Sequence, residues 1–484
     1  MQHNGVQRTI YGLILNDRQS LADLGGQLTA APYQAPPQAP VLYIKPANTV
    51  NTSGVVVLPA GAEALEVGAT VALVLGKTAR RLSREQALEA LAGVALAVDL
   101  SVPHDSYYRP AVREKCFDGS LLLGEVQTLA AVGDLQDVCI HTAVNGQALS
   151  ARSLADLSRD AAQLLADVTE FMTLHAGDVL LMGVPYQACQ AAAADEVRIT
   201  AKGLGALDFT LSPPAPPVCT HEHRLSMHAP RMGRVRINGQ IHTVTPAADG
   251  QVATADGRLF AATAVEWLPP LAAGTVFALG LNYADHAKEL AFKAPETPLV
   301  FLKGANTLTG HQALTRRPDG VEYMHYECEL AVVIGKTARN VSRETAKDYI
   351  LGYTVVNDYA IRDYLENYYR PNLRVKNRDH ATPIGPWLTR ADQIDDPMAL
   401  ALTTRVNGKT TQQGSTRDMI FSVYDLVAYL SSIMTLQPGD IILTGTPEGL
   451  ADVRPGDVVE TEIEGLGVLR NTIADDAHYF SQHA

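Results

Sequence analysis

The sequence predicts a β-rich α+β protein built from two tandem copies of one domain, each folded around a mixed or rolled sheet. Three observations predict this fold class. Long stretches of the first half recur in the second half at a nearly constant offset. Within each half, short apolar runs rich in Val and Ile alternate with turns that contain Gly and Asp, which is typical of strands. Stretches with the apolar spacing of a helix are few.

The repeats are collinear over nearly the whole chain, as in an internal duplication. The segment IKPANT (44–49) matches LKGANT (302–307), and VALVLGKTARRLSRE (71–85) matches LAVVIGKTARNVSRE (330–344). Further on, MTLHAGDVLLMGVP (172–185) matches MTLQPGDIILTGTP (434–447). The offset stays between 258 and 262 residues. We expect the two copies to pack as a pseudo-dimer, because the ancestral interface would be isologous.

The domain boundaries follow from the repeats and from the proline content. We assign residues 1–210 to the first copy and residues 271–484 to the second. Residues 211–232 predict a linker, since their prolines neither continue a helix nor serve an inner strand. Residues 233–270 contain short alternating runs with NG and DG turns, which indicate a small β-hairpin subdomain before the second copy.

The elements of the second copy are predicted from its apolar runs. The strands are LAVVIG, YTVVND, GDIILTG and DVVETEIEGLG, each bounded by Gly or Asp. Helices are predicted for SRETAKDYILG and for TRDMIFSVYDLVAYLSSIM, where apolar residues recur every three or four positions.

Composition and charge narrow the classes of protein that fit. Hydrophobic residues make up 46% of the 484 residues and charged residues 19%, which is typical of a folded soluble protein. We expect neither a membrane span nor a secretory signal, because no long apolar run occurs. The five cysteines form no CxxC pair, so a reducing cytoplasm fits better than a disulfide framework. A net charge of −13 without a dense basic patch argues against nucleic acid and anionic membranes as partners.

The clearest chemical signal is HYECELAVVIG (325–335). Glu327 and Glu329 are two residues apart in a predicted strand, so their carboxylates point to one face while Cys328 points to the other. Asp358 ends the next apolar run and can reach the same place. Three carboxylates form an oxygen-only site, which suits Mg²⁺ best, with Mn²⁺ or Ca²⁺ as alternatives. A solvated acidic strand face is the alternative interpretation.

The first copy lacks two of these three carboxylates. When the copies are aligned on GKTAR, Glu327 falls on Gly68, Glu329 on Thr70 and Asp358 on Asp99. We therefore expect the first copy to be degenerate and not to bind this metal.

Other polar residues are candidates for proton transfer and substrate binding. His286 and Glu289 are three residues apart on a predicted helical turn and could form a dyad that transfers a proton. Lys303 and Lys376 have lysine counterparts in the first copy and could neutralise a substrate carboxylate or donate a proton. Further candidates for substrate binding are Thr446, in a Gly-bounded turn whose N–H groups could face an anion, and Arg417 and Tyr359.

The chain resembles the fumarylacetoacetate hydrolase family at LNYADHAKE, PLVFLKGANT, HYECELAVVIGK, TVVNDY, KNRDHATPIGPW, NGKTTQQGSTRDM and LTGTPEG, which lie in family order. The resemblance implies a mixed β-roll fold and a metal site made of two glutamates and an aspartate. It also implies a His–Glu dyad and a lysine near the metal. These roles fall on Glu327, Glu329, Asp358, His286, Glu289 and Lys376.

The tandem arrangement and the segment APYQAPPQAPVLYIKPANT (31–49) are similar to fused members of this family. That similarity implies decarboxylation of 5-oxopent-3-ene-1,2,5-tricarboxylate and isomerisation of 2-hydroxyhepta-2,4-dienedioate to 2-oxohept-3-enedioate. An acylpyruvate-type C–C hydrolase is the alternative enzyme, and a non-catalytic scaffold role is the alternative for the first copy. The expected partner is a small di- or tricarboxylate, and the chain itself would be a monomer or part of a higher homo-oligomer.

Overall fold

The two predicted copies contain the same pair of sheets in the computed structural model, which describes residues 2–3, 6–7, 9–215, 223–284, 295–365 and 373–482. These residues divide into two compact units, one formed chiefly by the chain before residue 218 and one chiefly by the chain after residue 219. None of the helices in the described ranges has the length and apolar character that a membrane crossing needs.

The strands before residue 218 are β1 Gln2–His3, β2 Val6–Gln7, β3 Ile10–Ile14, β4 Val41–Lys45, β5 Val50–Asn51, β6 Val55–Val57, β7 Ala64–Leu75, β8 Leu91–Ser101, β9 Leu121–Leu123, β10 Cys139–Val144, β11 Gln147–Ser153, β12 Val179–Leu181, β13 Gln190–Ala192, β14 Glu196–Ala201 and β15 Gly205–Ser212. Those after it are β16 Arg231–Ile237, β17 Gln240–Pro246, β18 Gln251–Thr254, β19 Leu259–Ala261, β20 Glu266–Leu268, β21 Val276–Gly280, β22 Leu299–Lys303, β23 Leu308–Thr309, β24 Leu314–Arg316, β25 Met324–His325, β26 Cys328–Ile334, β27 Ile350–Asn357, β28 Ala360–Ile361, β29 Thr382–Pro383, β30 Leu388–Arg390, β31 Ala401–Val406, β32 Lys409–Ser415, β33 Ile441–Leu443, β34 Val458–Ile463 and β35 Gly467–Ala474.

The helices within the described ranges are short and few. The α-helices are α1 Arg18–Leu24, α2 Arg84–Ala87, α3 Val112–Lys115, α4 Leu129–Val132, α5 Ala161–Thr169, α6 Leu373–Lys376, α7 Val423–Ile433 and α8 Asp476–Gln482. Turns of 3-10 helix occupy Gly25–Thr29, Ala47–Thr49, Leu88–Ala90, Leu135–Asp137, Leu154–Asp156, Ala305–Thr307, Ala346–Tyr349, Arg362–Tyr364, Ala391–Gln393 and Thr416–Asp418.

Each copy has one large mixed sheet and one five-stranded sheet. The large sheet of the first copy runs β4-β3-β12-β7-β8-β9-β5, and the large sheet of the second contains β22-β21-β33-β26-β27, which corresponds to β4-β3-β12-β7-β8. The five-stranded sheets run β11-β10-β14-β15-β6 and β32-β31-β34-β35-β24. The matching strand orders agree with the duplication read from the sequence. The pseudo-dimer stays a prediction.

The hairpin segment predicted for residues 233–270 forms β16 to β20. β16 also pairs with β30, so these strands continue the large sheet of the second copy. The predicted linker overlaps this architecture at both ends, because residues 211–212 belong to β15 and residues 231–232 to β16. The separate subdomain therefore stays a prediction.

The apolar runs of the second copy form its core strands as expected, and β26 is buried along its whole length. Ala331, Val333, Ile441 and Leu443 belong to the core cluster that β26 and β33 share. One helix prediction is wrong. SRETAKDYILG forms only the 3-10 turn Ala346–Tyr349, and its last three residues begin β27 because they pair with β26 and β30.

Candidate metal centre

Three carboxylates converge where β26 and β27 meet. Glu327 immediately precedes β26, Glu329 is its second residue, and Asp358 immediately follows β27. The antiparallel pairing aligns the two strands, and the Asp358 N–H donates to the Glu327 carbonyl oxygen over 2.9 Å. One oxygen from each of the three carboxylates lies within 4.8 Å of the others. The period of two thus brings these side chains together as expected, while their role as metal ligands stays a prediction.

The cluster is removed from water. Glu329 and Asp358 are fully buried, and Glu327 is 9% exposed. Burial, followed by the charges of Asp358 and Glu327, raises the pKa of Glu329 well above its usual value. A buried concentration of negative charge is stable only with cations close by.

Two lysines supply part of that positive charge. The Lys376 ammonium lies 2.6 Å from Glu327 Oε2 and 2.8 Å from Asp358 Oδ2. The Lys303 ammonium lies 2.5 Å from Asp358 Oδ1 and also donates to the carbonyl oxygen of Lys376. Two ammonium groups facing three carboxylates leave a formal charge of −1.

The two lysines differ in their protonation energetics. Burial lowers the pKa of Lys376, but the charges of Asp358 and Glu327 outweigh it and raise that pKa above its usual range. For Lys303, burial outweighs the attraction of Asp358, and its pKa is lowered. Since both ammonium groups are engaged by carboxylates, the substrate contacts predicted for them stay predictions.

Glu329 carries the observation that points to a cation. Its Oε2 accepts a hydrogen bond of 2.6 Å from the Gly445 N–H, while its Oε1 is buried without a hydrogen-bond partner among the described residues. A buried carboxylate oxygen without a partner is costly. A hard divalent cation bound by these three carboxylates would satisfy it, so the residues present fit Mg²⁺ or Mn²⁺.

The turn that follows β33 holds Glu329 and was predicted to face an anion. The anion that contacts its backbone is the protein's own Glu329 carboxylate, at Gly445. Thr446 is buried, and its hydroxyl accepts from Gln412 Nε2 over 2.9 Å. Gln412 was not predicted to be a site residue, because nothing in the segment NGKTTQQG distinguishes it from its neighbours.

His325 and Arg362 were also not predicted from the sequence. His325 is buried; its Nδ1 lies 3.7 Å from Glu327 Oε1, and its Nε2 accepts from Arg362 Nε over 3.1 Å. The accepting Nε2 places the imidazole proton on Nδ1, which faces the carbonyl oxygen of Tyr326 at 3.2 Å. The same period of two that joins Glu327 to Glu329 would have identified His325.

The other predicted candidates occupy different surroundings. Tyr359 is buried, and its hydroxyl pairs with Asn471, which favours a packing role over contact with a substrate. Arg417 is exposed in the 3-10 turn Thr416–Asp418. His286 and Glu289 lie outside the described residues.

In the first copy, Asp99 stands at the position of Asp358, and other side chains of the same chain bind its carboxylate. Lys45 and Lys115 lie 2.7 and 2.9 Å from the two oxygens of Asp99, and the Tyr43 hydroxyl donates to Asp99 as well. Burial alone would raise the pKa of Asp99, but the Lys115 and Lys45 charges lower it to about 2. Asp358 also has a lysine ammonium on each oxygen, so Asp99 differs from it by the additional Tyr43 hydroxyl and by the absence of neighbouring glutamates.

The surroundings of Gly68 leave no room for a side chain at the position that corresponds to Glu327. A Cβ at Gly68 would lie 2.4 Å from the carbonyl oxygen of Asp99 and 2.8 Å from Val184 Cγ1. Thr446 occupies the position of Val184 in the second copy. A glutamate side chain at position 68 would therefore need the neighbouring backbone or Val184 to move, and the expectation that the first copy binds no such metal stays a prediction.

Comparisons with known proteins agree with the repeated domain. The model of the fumarylacetoacetate hydrolase C-terminal family matches residues 9–212 and 275–474. The chain is 48% identical over 465 residues to the 4-hydroxyphenylacetate degradation bifunctional isomerase/decarboxylase of Salmonella dublin, covering 96% of this chain and 98% of the relative. It is 47% identical to the protein of the same name from Escherichia coli, covering 97% and 98%. Among solved structures, 5-carboxymethyl-2-hydroxymuconate delta-isomerase from Mycobacterium smegmatis is 36% identical over 51% of this chain and 99% of that chain, with a TM-score of 0.46.

Proposed function

We propose that this chain, which belongs to the fumarylacetoacetate hydrolase family, is a metal-dependent bifunctional decarboxylase and isomerase whose chemistry takes place in its second copy. Its substrates would be 5-oxopent-3-ene-1,2,5-tricarboxylate, which it decarboxylates, and 2-hydroxyhepta-2,4-dienedioate, which it isomerises to 2-oxohept-3-enedioate. Relatives that carry this pair of activities in their name are 46–48% identical over nearly the full chain.

The observation that carries the proposal is the unpartnered Oε1 of Glu329 within a buried triad of carboxylates. Glu327, Glu329 and Asp358 would hold the cation, with Mg²⁺ the preferred ion. When bound, a divalent cation acts as a Lewis acid that polarises the 2-oxo group of the substrate.

The chain's own residues would bind the substrate and move protons. Lys376 stays charged because of its carboxylate neighbours, so its ammonium can hold a substrate carboxylate at the edge of the triad. His286 with Glu289, assigned from the sequence, would shuttle the proton between oxygen and carbon. Decarboxylation and isomerisation both shift electrons within one conjugated 2-oxo acid, so a single site can serve both.

The test supplies the full chain with the tricarboxylate and measures carbon dioxide release and the ultraviolet spectrum of the product. We expect both signals with Mg²⁺ or Mn²⁺ and neither with a chelator. Cleavage into two acids without carbon dioxide would show the C–C hydrolase instead.

A matched pair of variants locates the chemistry. Asp358→Asn should abolish turnover, whereas Asp99→Asn, which alters the equivalent lysine-bound carboxylate of the first copy, should retain it at temperatures where circular dichroism shows both variants folded. Full activity of Asp358→Asn, or equal loss in both variants, would refute the proposed location.

A further inference from the structure

A cavity of about 530 Å³ lies in the first copy, away from Asp99 and its lysines. It opens between β7 of the large sheet and the β10–β11 hairpin of the five-stranded sheet. Val67 and Ala69 line it on the first side and Thr142 and Arg152 on the second, with Cys189 at its margin. Since side chains alternate along a strand, Val67 and Ala69 point away from the face that carries Gly68.

The cavity exists because the first copy carries smaller side chains than the second at the same positions. Tyr326, Cys328 and Gln412 occupy the positions of Val67, Ala69 and Ser150. The Tyr326 hydroxyl is within hydrogen-bond distance of Thr411 Oγ1, at 2.6 Å, and of the Gly449 carbonyl oxygen, at 3.1 Å. A void of this kind costs stability unless something occupies it.

Arg152 is the polar group that points to a ligand. Its side chain is only 11% exposed, and its Nε pairs with Asp17 Oδ2 at 2.9 Å. Its Nη1 donates to the carbonyl oxygens of Gly183 at 2.8 Å and Ala69 at 3.3 Å. Its Nη2 is buried and has no hydrogen-bond partner among the described residues.

A second arginine stands at the exposed rim. Arg18 lines the cavity, and its Nη1 donates to the Ala155 carbonyl oxygen over 3.3 Å. The charged lining also includes Asp17, which pairs with Arg152, and the exposed Asp23 and Asp156. The cavity lining therefore carries both signs of charge, and its net charge does not indicate which ligand binds. The guanidinium N–H groups indicate a ligand with acceptor oxygens.

We propose that this cavity is a second small-molecule site, which binds a small dicarboxylate with one end at Arg18 and an acceptor oxygen at Arg152 Nη2. Guanidinium groups bind carboxylates through paired N–H donors, and cavities of this volume are typical of small-molecule sites. The site is separate from the metal centre and is independent of the proposed function. In the second copy Gly414 stands at the position of Arg152 and Tyr326 at that of Val67, so the arginine donor that the proposal needs is present only in the first copy.

Cys189 offers a local readout that binding at the metal centre does not affect. The full chain is treated with iodoacetamide in the presence of a chelator and increasing succinate, and peptide-resolved mass spectrometry follows the alkylation of Cys189. Cys139, which is half-buried on β10 and is not among the residues that line the cavity, serves as the internal reference. We expect saturable protection of Cys189 by succinate, with no change at Cys139.

Three variants test the residues that carry the proposal. Arg152→Lys and Arg18→Gln should weaken protection by roughly tenfold each, since each removes a guanidinium contact. Val67→Tyr restores the second copy's residue and should abolish protection by filling the space. Arg198→Gln changes an exposed arginine of β14 and should leave protection unchanged.

The proposal is overturned if succinate gives no saturable protection, or if neutral succinamide protects Cys189 equally. It is also overturned if Arg18→Gln, an exposed change with little risk to folding, binds succinate as the unaltered chain does. A cavity that holds only water would give the first of these results.

Discussion

Glu329 is buried without a salt bridge among the described residues, and one of its oxygens has no hydrogen-bond donor. Its raised pKa shows that the ionised form is costly in the metal-free protein, and retention of a carboxyl group here is explained by the cation it would bind. Glu329→Gln should therefore reduce turnover by at least about 100-fold while raising the stability of the chelator-treated protein by roughly 2 kcal/mol.

Thermal unfolding with chelator and the carbon dioxide assay measure the two effects on one preparation. Glu196→Gln, at the exposed first residue of β14, is the control and should change neither quantity. A Glu329→Gln protein that is less stable than the unaltered chain in chelator would contradict the view that this carboxylate is held for a cation.

Asp99 gives the opposite case, a buried carboxylate whose charge is fully matched. Its pKa falls from the unfolded value near 4 to about 2 in the folded chain, because the Lys115 and Lys45 charges outweigh burial. A depressed carboxyl pKa contributes stability that is complete above pH 4 and disappears as the pH falls through 2. Asp99→Asn would leave two buried ammonium groups unpaired and should cost roughly 3 kcal/mol at pH 7.

Urea unfolding at pH 7 and at pH 2 tests this expectation, because the difference between the variant and the unaltered chain should shrink at the lower pH. Asp208→Asn, which removes an exposed partner of Arg198, is the control and should cost well under 1 kcal/mol. A difference that does not depend on pH would show that Asp99 is not charged in the fold.

At the scale of single elements, prediction from sequence succeeded where local pattern and long-range pairing agree. The run ending at Asn357 is apolar and β-branched, and it pairs with β26 along its whole length. Prediction from sequence failed for SRETAKDYILG, where the polar part suggests a helix but Ile350 already pairs with Ile334 of β26. Tertiary pairing overrides local propensity there, and no local signal shows which residue begins the strand.

The turn after β33 lets one element be tested against its own duplicate. Gly445 has φ +87°, and a Cβ on it would lie 3.0 Å from Asn282 Cβ. Gly183, its counterpart, has φ +112° and the same kind of contact, 3.1 Å to Asn16 Cβ. Only the Gly445 N–H donates to a carboxylate of the triad.

Gly445→Ala and Gly183→Ala should each lower stability by about 1 kcal/mol, because alanine is strained at positive φ. Gly445→Ala alone should weaken metal binding, by roughly tenfold, since it shifts the donor that orients Glu329. Calorimetric titration of the chelator-stripped proteins with Mn²⁺ gives the affinities. Equal affinities in the two variants would mean that the turn does not position Glu329.

For the molecule as a whole, the sequence was enough to predict the duplication, the β-rich class and the convergence of Glu327, Glu329 and Asp358. These follow from repeated text and from the period of a strand. The contact between Tyr43 and Asp99 in the first copy could not be predicted, because these residues meet only through the pairing of distant strands. The cavity beside Val67 was hidden for the same reason, since loss of volume shows only when both sheets are in place.

The asymmetry between the copies predicts one metal ion per chain. Because the Tyr43 hydroxyl also donates to Asp99 and a side chain at position 68 would collide with the Asp99 carbonyl oxygen and Val184, restoring the two lost glutamates should not restore a site. The double variant Gly68→Glu/Thr70→Glu should bind one Mn²⁺ per chain, as the unaltered protein would, and should lose roughly 2–3 kcal/mol of stability from overpacking and unpaired charge. Equilibrium dialysis with elemental analysis gives the stoichiometry, and Glu329→Gln sets the zero level. Two ions per chain in the double variant would show that the first copy lacks only the two metal ligands. Tyr43, Asp99 and Val184 would then have to move to accommodate a metal ion.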